Sequence, residues 1–306
     1  MATPARERPI LLTGCNGQLG CVLRQTLAPL GTVLAFDRQS LDLADADALR
    51  RRVAECRPGV IVNAAAYTAV DKAETEADIA HAVNAVAPGV LGEAAAAIGA
   101  LVVHYSTDYV FDGTAKGAYR EEDAPNPLNV YGKSKLAGER ALQASGAQHL
   151  IFRTSWVVGA QGGNFAKTIL RLAAERETLN VVDDQYGAPT SAALLAETTA
   201  RILRRYYRQT RKTQDFPCGL YHLTATGATS WHAYAALILA EAQKAGCALK
   251  LTAKGLTPIP SSAYPLPAAR PANSRLDCTR LQHTFDLRLP PWQQGVTQTL
   301  QQIFEL

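Results

Sequence analysis

The chain of 306 residues lacks the features that would tie it to a membrane, to nucleic acid or to an oxidising compartment. No apolar run is long enough to span a bilayer, and the polar start MATPARERP has no signal-peptide core. The six cysteines form no CxxC pair, so we expect reduced thiols in a cytoplasmic protein rather than a disulfide framework or a zinc site. A net charge of +4 does not predict a nucleic-acid partner but suits an anionic small molecule. The basic segment RILRRYYRQTRK at 201–212 follows an apolar helical run, which favours a solvated helix end over a charged partner.

Between residues 9 and 153, short apolar runs alternate with helical stretches. The runs are ILLT, TVLAFD, GVIVNAAA, ALVVHYST and HLIFRTS. Strands that are apolar throughout are typical of a parallel sheet covered by helices on both faces. The alternation therefore predicts an α/β fold, a Rossmann-type doubly wound parallel sheet that forms a dinucleotide-binding domain over 9–155.

After Thr154 the pattern changes, because glycine and proline interrupt the chain and strands become few. We expect a smaller, mainly C-terminal substrate domain over 156–306, with late segments folding back onto the first domain. The proline-rich stretch at 258–271 is expected to form a structured loop near the site.

A glycine triplet lies between the first apolar run and the first helical stretch, in ILLTGCNGQLG. These glycines allow a tight turn and the close approach of a pyrophosphate, whose charge the helix N-terminus favours. A triplet alone is a weak signal, but the first strand–helix turn is the context that dinucleotide binding requires. The residues expected to contact the cofactor here are Gly14, Asn16, Gly17, Gln18, Leu19 and Gly20.

The residues after the second apolar run bear on which dinucleotide is bound. Asp37 can accept hydrogen bonds from the adenosine ribose, which favours NADH. Arg38 can pair with a 2′-phosphate, which favours NADPH. Both cofactors are therefore expected to be used. Asp42 and Leu43 are expected near the adenine, with a plain loop and helix cap as the open alternative.

The stretch NVYGKSKLAGERAL at 129–142 reads as a helix with Tyr131 and Lys135 on one face. A free tyrosine has a pKa of about 10, and a nearby ammonium lowers that value. The pair could then donate a proton to a carbonyl while hydride arrives from a nicotinamide. Two amphipathic side chains on a helix surface would show the same spacing, so the pair needs support from elsewhere in the chain.

Two other strand ends supply that support. Ser106 and Thr107 end the fourth apolar run, where open α/β sheets keep their active sites, and a hydroxyl there can hydrogen-bond the same carbonyl. Small residues end the third run and would leave room for a dinucleotide, although helix packing would also favour them. These are Ala64, Ala65 and Ala66.

In this order, TGxxGxxG, NAAA, STDYVFDG and YxxxK resemble the extended short-chain dehydrogenases/reductases. Longer segments resemble one family among them, the dTDP-4-dehydrorhamnose reductases. These segments are VNAAAYTAVDKAE, HYSTDYVFDG, PLNVYGKSKLAGE, FRTSWVV and DQYGAPTSA. GLYHLTATGATSW and RPANSRL extend the resemblance almost to the C-terminus.

The resemblance implies NADPH- or NADH-dependent reduction of the C4 keto group of dTDP-6-deoxy-L-lyxo-4-hexulose to dTDP-L-rhamnose. The family triad falls on Thr107, Tyr131 and Lys135. Tyr131 would protonate the C4 oxygen, and Thr107 would orient the carbonyl. Lys135 would hold the nicotinamide ribose and lower the tyrosine pKa.

The resemblance also implies a pocket for the sugar and its diphosphate. Trp156 resembles the family tryptophan that packs on the sugar, and Asn164 and Phe165 open a helix placed to meet the diphosphate. The substrate contacts expected are Val70, Thr107, Asp108, Tyr109, Trp156, Asn164, Phe165, Arg270, Asn273 and Arg275.

One departure from the family concerns metal. Some members dimerise through carboxylates that bind magnesium, one of them early in the first helix. Apolar Val22 stands where that acid would be sought, so we expect no metal and leave open whether the chain forms a homodimer.

Two alternatives stay open at this point. One is a reductase or epimerase for another nucleotide-linked 4-keto sugar, and the other is a non-catalytic regulatory subunit on the same fold. An intact triad argues against the regulatory subunit, and an epimerase would keep its NAD bound without external reductant.

Replacing Asp37 by alanine should separate the two cofactors. We expect Asp37→Ala to weaken NADH binding by roughly tenfold, the loss typical of a hydrogen bond to a charged group, and to weaken NADPH less. Fluorescence titration of both cofactors against the unaltered chain measures this. An equal loss for the two would contradict the assignment of Asp37 to the ribose.

Overall fold

The fold was taken from a computed structural model that describes residues 7–209 and 216–305. Its strands are β1 (Ile10–Thr13), β2 (Val33–Phe36), β3 (Val60–Asn63), β4 (Leu101–Thr107), β5 (Gln148–Thr154), β6 (Val157–Val158), β7 (Leu179–Val182), β8 (Tyr186–Gly187), β9 (Thr190–Ser191), β10 (Gly219–His222), β11 (Thr229–Ser230) and β12 (Leu256–Ile259). Its α-helices are α1 (Gln18–Leu27), α2 (Ala46–Cys56), α3 (Val70–Ala73), α4 (Ala77–His81), α5 (Ala87–Ile98), α6 (Val130–Ala144), α7 (Phe165–Glu175), α8 (Ala192–Gln209), α9 (Trp231–Lys244), α10 (Thr279–Phe285) and α11 (Trp292–Phe304).

A six-stranded parallel sheet forms the centre, in the order β10-β5-β4-β3-β1-β2. Both faces are covered: Ile10 and Leu12 belong to a core with α1 and α8, whereas Leu11 belongs to a core with α2 and α5. Burial on both faces explains why the strands are apolar throughout. The predicted Rossmann-type α/β sheet is confirmed. Strand order reverses between β1 and β3, which is where such sheets bind ligands.

The smaller part of the molecule is built from two-stranded pairs and three helices. The pairs are β6 with β9, β7 with β12 and β8 with β11. Helices α7, α9 and α11 enclose a separate apolar core that includes Tyr234 and Ile238. Two later segments, α8 and β10, pack instead on α1 and β5 of the main sheet. The boundary at 155 and 156 stays a prediction.

Residues 1–6 of the polar N-terminal stretch and residues 210–212 of the basic segment lie outside the described residues. Within α8, Arg201 donates to the Asp286 carbonyl at 3.0 Å and Arg205 to the Thr284 carbonyl at 2.7 Å. These cations lie at the C-terminal end of α10, where the helix dipole favours them. This part of the segment therefore binds the protein itself, a role the sequence did not predict. Across the described residues, no helix is both long and apolar enough to cross a bilayer.

A buried ion pair joins α6 to β5. Arg153 Nε donates to Glu139 Oε1 at 2.9 Å, and its Nη2 donates to Oε2 at 2.7 Å. The Ser106 hydroxyl also donates to Glu139 Oε1, and the Arg153 guanidinium lies 5.0 Å from the centre of the Phe111 ring. The two charged side chains are only 2–4% exposed. Separating the two side chains would leave each charge buried without a partner, which is strongly unfavourable. The pair therefore holds α6, the helix that carries Tyr131, against the sheet.

We therefore expect Glu139→Ala to lower the free energy of unfolding by about 3–5 kcal/mol, measured by denaturant titration. Replacing both partners with apolar residues, Glu139→Leu with Arg153→Met, should recover most of that loss. The matched control is Glu175→Ala, which removes the exposed partner of Arg171 and should change stability by less than about 0.5 kcal/mol. A loss no larger for Glu139→Ala than for this control would contradict the expectation.

Candidate active site

A cavity of about 720 Å³ opens at the carboxyl ends of β1, β3, β4 and β5. Its volume is in the usual range for small-molecule sites. The sequence-predicted residues that line it are Gly14, Asn16, Gly17, Gln18, Leu19, Asp37, Arg38, Asp42, Leu43, Ala64, Ala65, Ala66, Val70, Thr107, Asp108, Tyr109, Tyr131, Lys135 and Trp156. The fold thus brings the glycine loop, the three alanines and the Tyr–Lys helix to one place.

The glycine loop has the backbone that a pyrophosphate needs. Gly14 has a φ of +69°, and a Cβ there would lie 2.8 Å from the Ala65 backbone. Gly20 does not line the cavity, but a Cβ on it would overlap the Gly14 carbonyl, so this glycine lets α1 pack directly under the loop. Gly17 caps α1 without a side-chain hydrogen bond, which leaves the first-turn N–H groups uncapped by any side chain. The loop therefore fits an anion at the helix N-terminus.

The edge of the cavity near β2 carries both a carboxylate and a guanidinium. Asp37 accepts hydrogen bonds from Ser40 and from Asn16 Nδ2, the latter at 2.9 Å. The Ser40 hydrogen bonds lower the pKa of Asp37, so it stays ionised. Arg38 lines the cavity beside it. A contact with the adenine and a helix cap were the two alternatives for the next segment. Asp42 lines the cavity, whereas Asp45 caps α2 by accepting from Ala48 N.

Tyr131 lines the cavity together with Thr107, the last residue of β4. Burial raises its pKa to about 12, a hydrogen bond with Thr107 opposes the rise, and the nearby Asp108 carboxyl adds to it. The sequence predicted a lowered pKa, and this prediction is wrong for the structure. Burial is the largest cause of this shift, and Lys135 is not among the groups that change the pKa of Tyr131. With a raised pKa, Tyr131 keeps its proton at neutral pH.

Lys135 lies beneath the cavity surface and is 1% exposed. Its Nζ donates to the Tyr105 carbonyl at 2.7 Å and lies 3.3 Å from His104 Nε2. Burial lowers the pKa of Lys135 to about 8, and the Glu139 carboxylate opposes that shift. Contacts with β4 therefore hold the Lys135 side chain, and the amine is mostly protonated only below this pH.

Asp108 is a buried carboxyl that lines the same cavity as Tyr131. Thr107 Oγ1 donates to Asp108 Oδ1 at 2.7 Å and accepts from Tyr109 N at 3.1 Å. Burial raises the pKa of Asp108 to about 6, and the hydrogen bond from Thr107 opposes the rise. Oδ2 of Asp108 has no hydrogen-bond partner among the described residues. A buried acceptor of this kind is suited to a ligand hydroxyl.

Trp156 is held in an unusual position at the far end of the cavity. Its φ is +47°, and its ring stacks on Trp231 with centroids 3.5 Å apart. Gly187 leaves room for the indole, since a Cβ there would lie within 2.8 Å of it. Trp231 also lines the cavity and donates from Nε1 to Gln185 Oε1 at 3.2 Å. Both indoles line the cavity, and aromatic rings of this kind supply apolar surface for a ligand.

Five predicted substrate contacts do not line the cavity. Asn164 caps α7 by accepting from Lys167 N, and its Nδ2 donates to Gln18 Oε1 at 3.0 Å and to the Gly159 carbonyl at 2.8 Å. Phe165 packs in the core of the smaller part, 4.6 Å from the Trp231 ring. Asn164 therefore supports the glycine-loop residue Gln18 instead of facing the cavity.

The three polar residues of the C-terminal loop are also engaged within the protein. Arg270 Nη2 donates to Asp71 Oδ2 at 2.7 Å. Asn273 donates to the carbonyls of Ala115 and Gly117, and Arg275 donates to Asn273 Oδ1 at 2.8 Å. The sequence did not reveal the partners of Arg270 and Asn273, because Asp71, Ala115 and Gly117 all lie more than 150 residues away along the chain. They join the loop to the main sheet domain.

Sequence reasoning missed three residues that build the site. Trp231 supports Trp156, and Asn84 holds the loop after β3 by accepting from Tyr67 N at 2.9 Å. His104 contacts Lys135. Asn84 and His104 are polar residues inside otherwise apolar runs, and that break in pattern was the available signal, whereas Trp231, flanked by Ser230 and His232, gave no such signal.

Comparison with known proteins gives a consistent result. A family model described as the RmlD substrate binding domain matches residues 8–304. The dTDP-4-dehydrorhamnose reductase of Salmonella typhimurium is 52% identical over 299 residues, which covers 96% of this chain and 98% of that protein. The Escherichia coli K12 enzyme of the same name is 50% identical with the same coverage. A solved structure of dTDP-4-dehydrorhamnose reductase from Bacillus anthracis in complex with NADP has a TM-score of 0.85, at 34% identity, and covers 96% of this chain and 98% of its own.

Proposed function

Because the chain belongs to the dTDP-4-dehydrorhamnose reductase family, we propose that it reduces the C4 keto group of dTDP-6-deoxy-L-lyxo-4-hexulose to give dTDP-L-rhamnose. This is the final step of dTDP-rhamnose synthesis. The observation that carries the proposal is the convergence of Thr107, Tyr131 and Lys135 on one cavity with the glycine loop. We place the reaction in the cytoplasm, which suits six free cysteines.

The residues present fit NADPH or NADH. Gly14 and Gly17 would receive the pyrophosphate, and Asp37 and Arg38 would receive the adenosine ribose or its 2′-phosphate. Lys135 would bind the nicotinamide ribose. A bound NADPH or NADH supplies the hydride that reduces the C4 carbon.

Tyr131 supplies the proton that the C4 oxygen takes as the carbonyl becomes an alcohol. Its raised pKa keeps that proton in place before the reaction. Thr107 and Tyr131 line the same cavity, and the Thr107 hydroxyl donates to Asp108, so these groups surround the carbonyl position. Asp108 and Trp156 would contact the sugar, through a hydroxyl and through the ring face respectively.

The test is oxidation of NADPH, followed at the nicotinamide absorbance, with the 4-keto sugar nucleotide supplied by the upstream dehydratase and epimerase. We expect dTDP-L-rhamnose as product, and Tyr131→Phe should cut turnover by about 10²-fold or more through loss of the general acid. Near-normal turnover in Tyr131→Phe would remove that residue from the mechanism. Cofactor binding with no oxidation would direct the search to another 4-keto sugar or to a regulatory subunit, and NAD retained by the purified chain would indicate an epimerase.

The charge of Lys135 should also be visible in the pH dependence of cofactor binding. The pKa of Lys135 lies below the usual value for lysine, so the ammonium is present below pH 8 and is lost as pH rises through about 8. We expect NADPH affinity to fall over that range. Lys135→Arg keeps its charge and should lack this fall, whereas Lys135→Met should bind weakly at every pH. A constant affinity through pH 8 in the unaltered chain would contradict the assignment.

A further inference from the structure

A line of buried polar side chains runs beneath the cavity from β1 to α6. Thr13 Oγ1 donates to Asn63 Oδ1 at 2.7 Å, and Asn63 Nδ2 lies 3.1 Å from His104 Nδ1. His104 Nε2 then lies 3.3 Å from Lys135 Nζ. All four residues are at most 1% exposed. We call this set the polar column.

The sheet register aligns the first three members. Thr13 pairs with Asn63 across β1 and β3, and Asn63 pairs with His104 across β3 and β4. Aligned positions on neighbouring parallel strands point to the same face, so the three side chains form a row directed at α6. Buried polar groups cost free energy unless they are hydrogen-bonded, and the row satisfies its members in sequence.

Lys135 needs such support because its side chain is long and flexible. Besides His104, its polar contact on the sheet is the Tyr105 carbonyl, which comes from the next residue of β4. A carbonyl and an imidazole on one strand define the position of Nζ from two directions. Removing the imidazole would leave one fixed contact and a buried space in which the amine could move.

The imidazole can serve Lys135 whether or not the lysine is charged. Burial and the nearby Lys135 hold the pKa of His104 well below its usual value, so the ring is neutral. One ring nitrogen then donates and the other accepts. With Asn63 Nδ2 donating to Nδ1, Nε2–H faces Lys135 and suits the uncharged amine. Turning the Asn63 amide by 180° places its Oδ1 against Nδ1–H, so that Nε2 becomes an acceptor and suits the ammonium. The Thr13 hydroxyl then accepts from Asn63 Nδ2 instead of donating to Oδ1.

We propose that His104 is a positioning residue that fixes Lys135 Nζ at the place where it binds the nicotinamide ribose. The inference rests on the proposed function, since it assigns that task to Lys135. Asn63 and Thr13 act through His104, by holding its ring against the sheet.

Two substitutions test the two ring nitrogens of His104 separately. His104→Gln keeps an amide that can reach Lys135, whereas His104→Asn keeps only a shorter amide on the Asn63 side. Affinity for NADPH is measured by fluorescence titration without any sugar substrate, together with the thermal midpoint of each variant. We expect His104→Asn to weaken NADPH by roughly tenfold to a hundredfold, the range for a lost hydrogen bond to a charged group, and His104→Gln to stay within about threefold of the unaltered chain.

A double-mutant cycle distinguishes positioning from a general loss of structure. In a Lys135→Met background, His104→Asn should weaken NADPH no further, because the group it positions is gone. Additive losses would overturn the proposal, as would equal losses for the asparagine and glutamine variants. If His104→Asn does not fold, Asn63→Ser replaces it in the cycle, with a smaller expected loss that must again vanish in the Lys135→Met background.

The same titration keeps the two proposals apart. Binding of NADPH without reduction of the sugar would overturn the proposed substrate and leave the cycle for His104 interpretable. Failure of the unaltered chain to bind NADPH would overturn both.

Discussion

All strands of the main sheet run parallel, and the rest of the molecule depends on this constraint. Parallel neighbours require crossover helices, so both faces of the sheet are covered and the strands are apolar throughout. Their carboxyl ends also meet at one edge. Gly14, Ala64 and Thr107 are far apart in the chain, yet this geometry brings them to the border of one cavity.

Helix α6 then carries the reactive groups, and its position depends on buried charges. Glu139 binds Arg153 of β5, and Lys135 binds the Tyr105 carbonyl and His104 of β4. An unpaired charge in the interior would cost roughly several kcal/mol. These contacts therefore define how α6 is rotated about its axis and where it lies along the sheet. Tyr131, one turn before Lys135, is presented to the cavity as a consequence.

Local signals predicted much of this arrangement. The glycine loop, the small residues after β3 and the spacing of Tyr131 and Lys135 are short-range features, and the structure brings them together. The polar residues of the C-terminal loop were expected at the substrate, but Arg270 pairs with Asp71. An arginine in a loop can serve a ligand or a distant carboxylate, and spacing does not distinguish these. The pKa of Tyr131 was predicted in the wrong direction because burial, which no local pattern measures, raises it, and the Asp108 carboxyl adds to the rise.

By itself, the sequence determined the strand–helix alternation, the dinucleotide turn, the Tyr–Lys pair and the family, since each is written in adjacent residues or regular spacing. Tertiary structure alone decided the partners of buried polar groups: His104 beneath Lys135, Trp231 behind Trp156, and Asp71 against Arg270. The physical reason is that solvent exclusion and contact between distant segments arise only when the chain packs, and these two effects determine the protonation and orientation of side chains in the site.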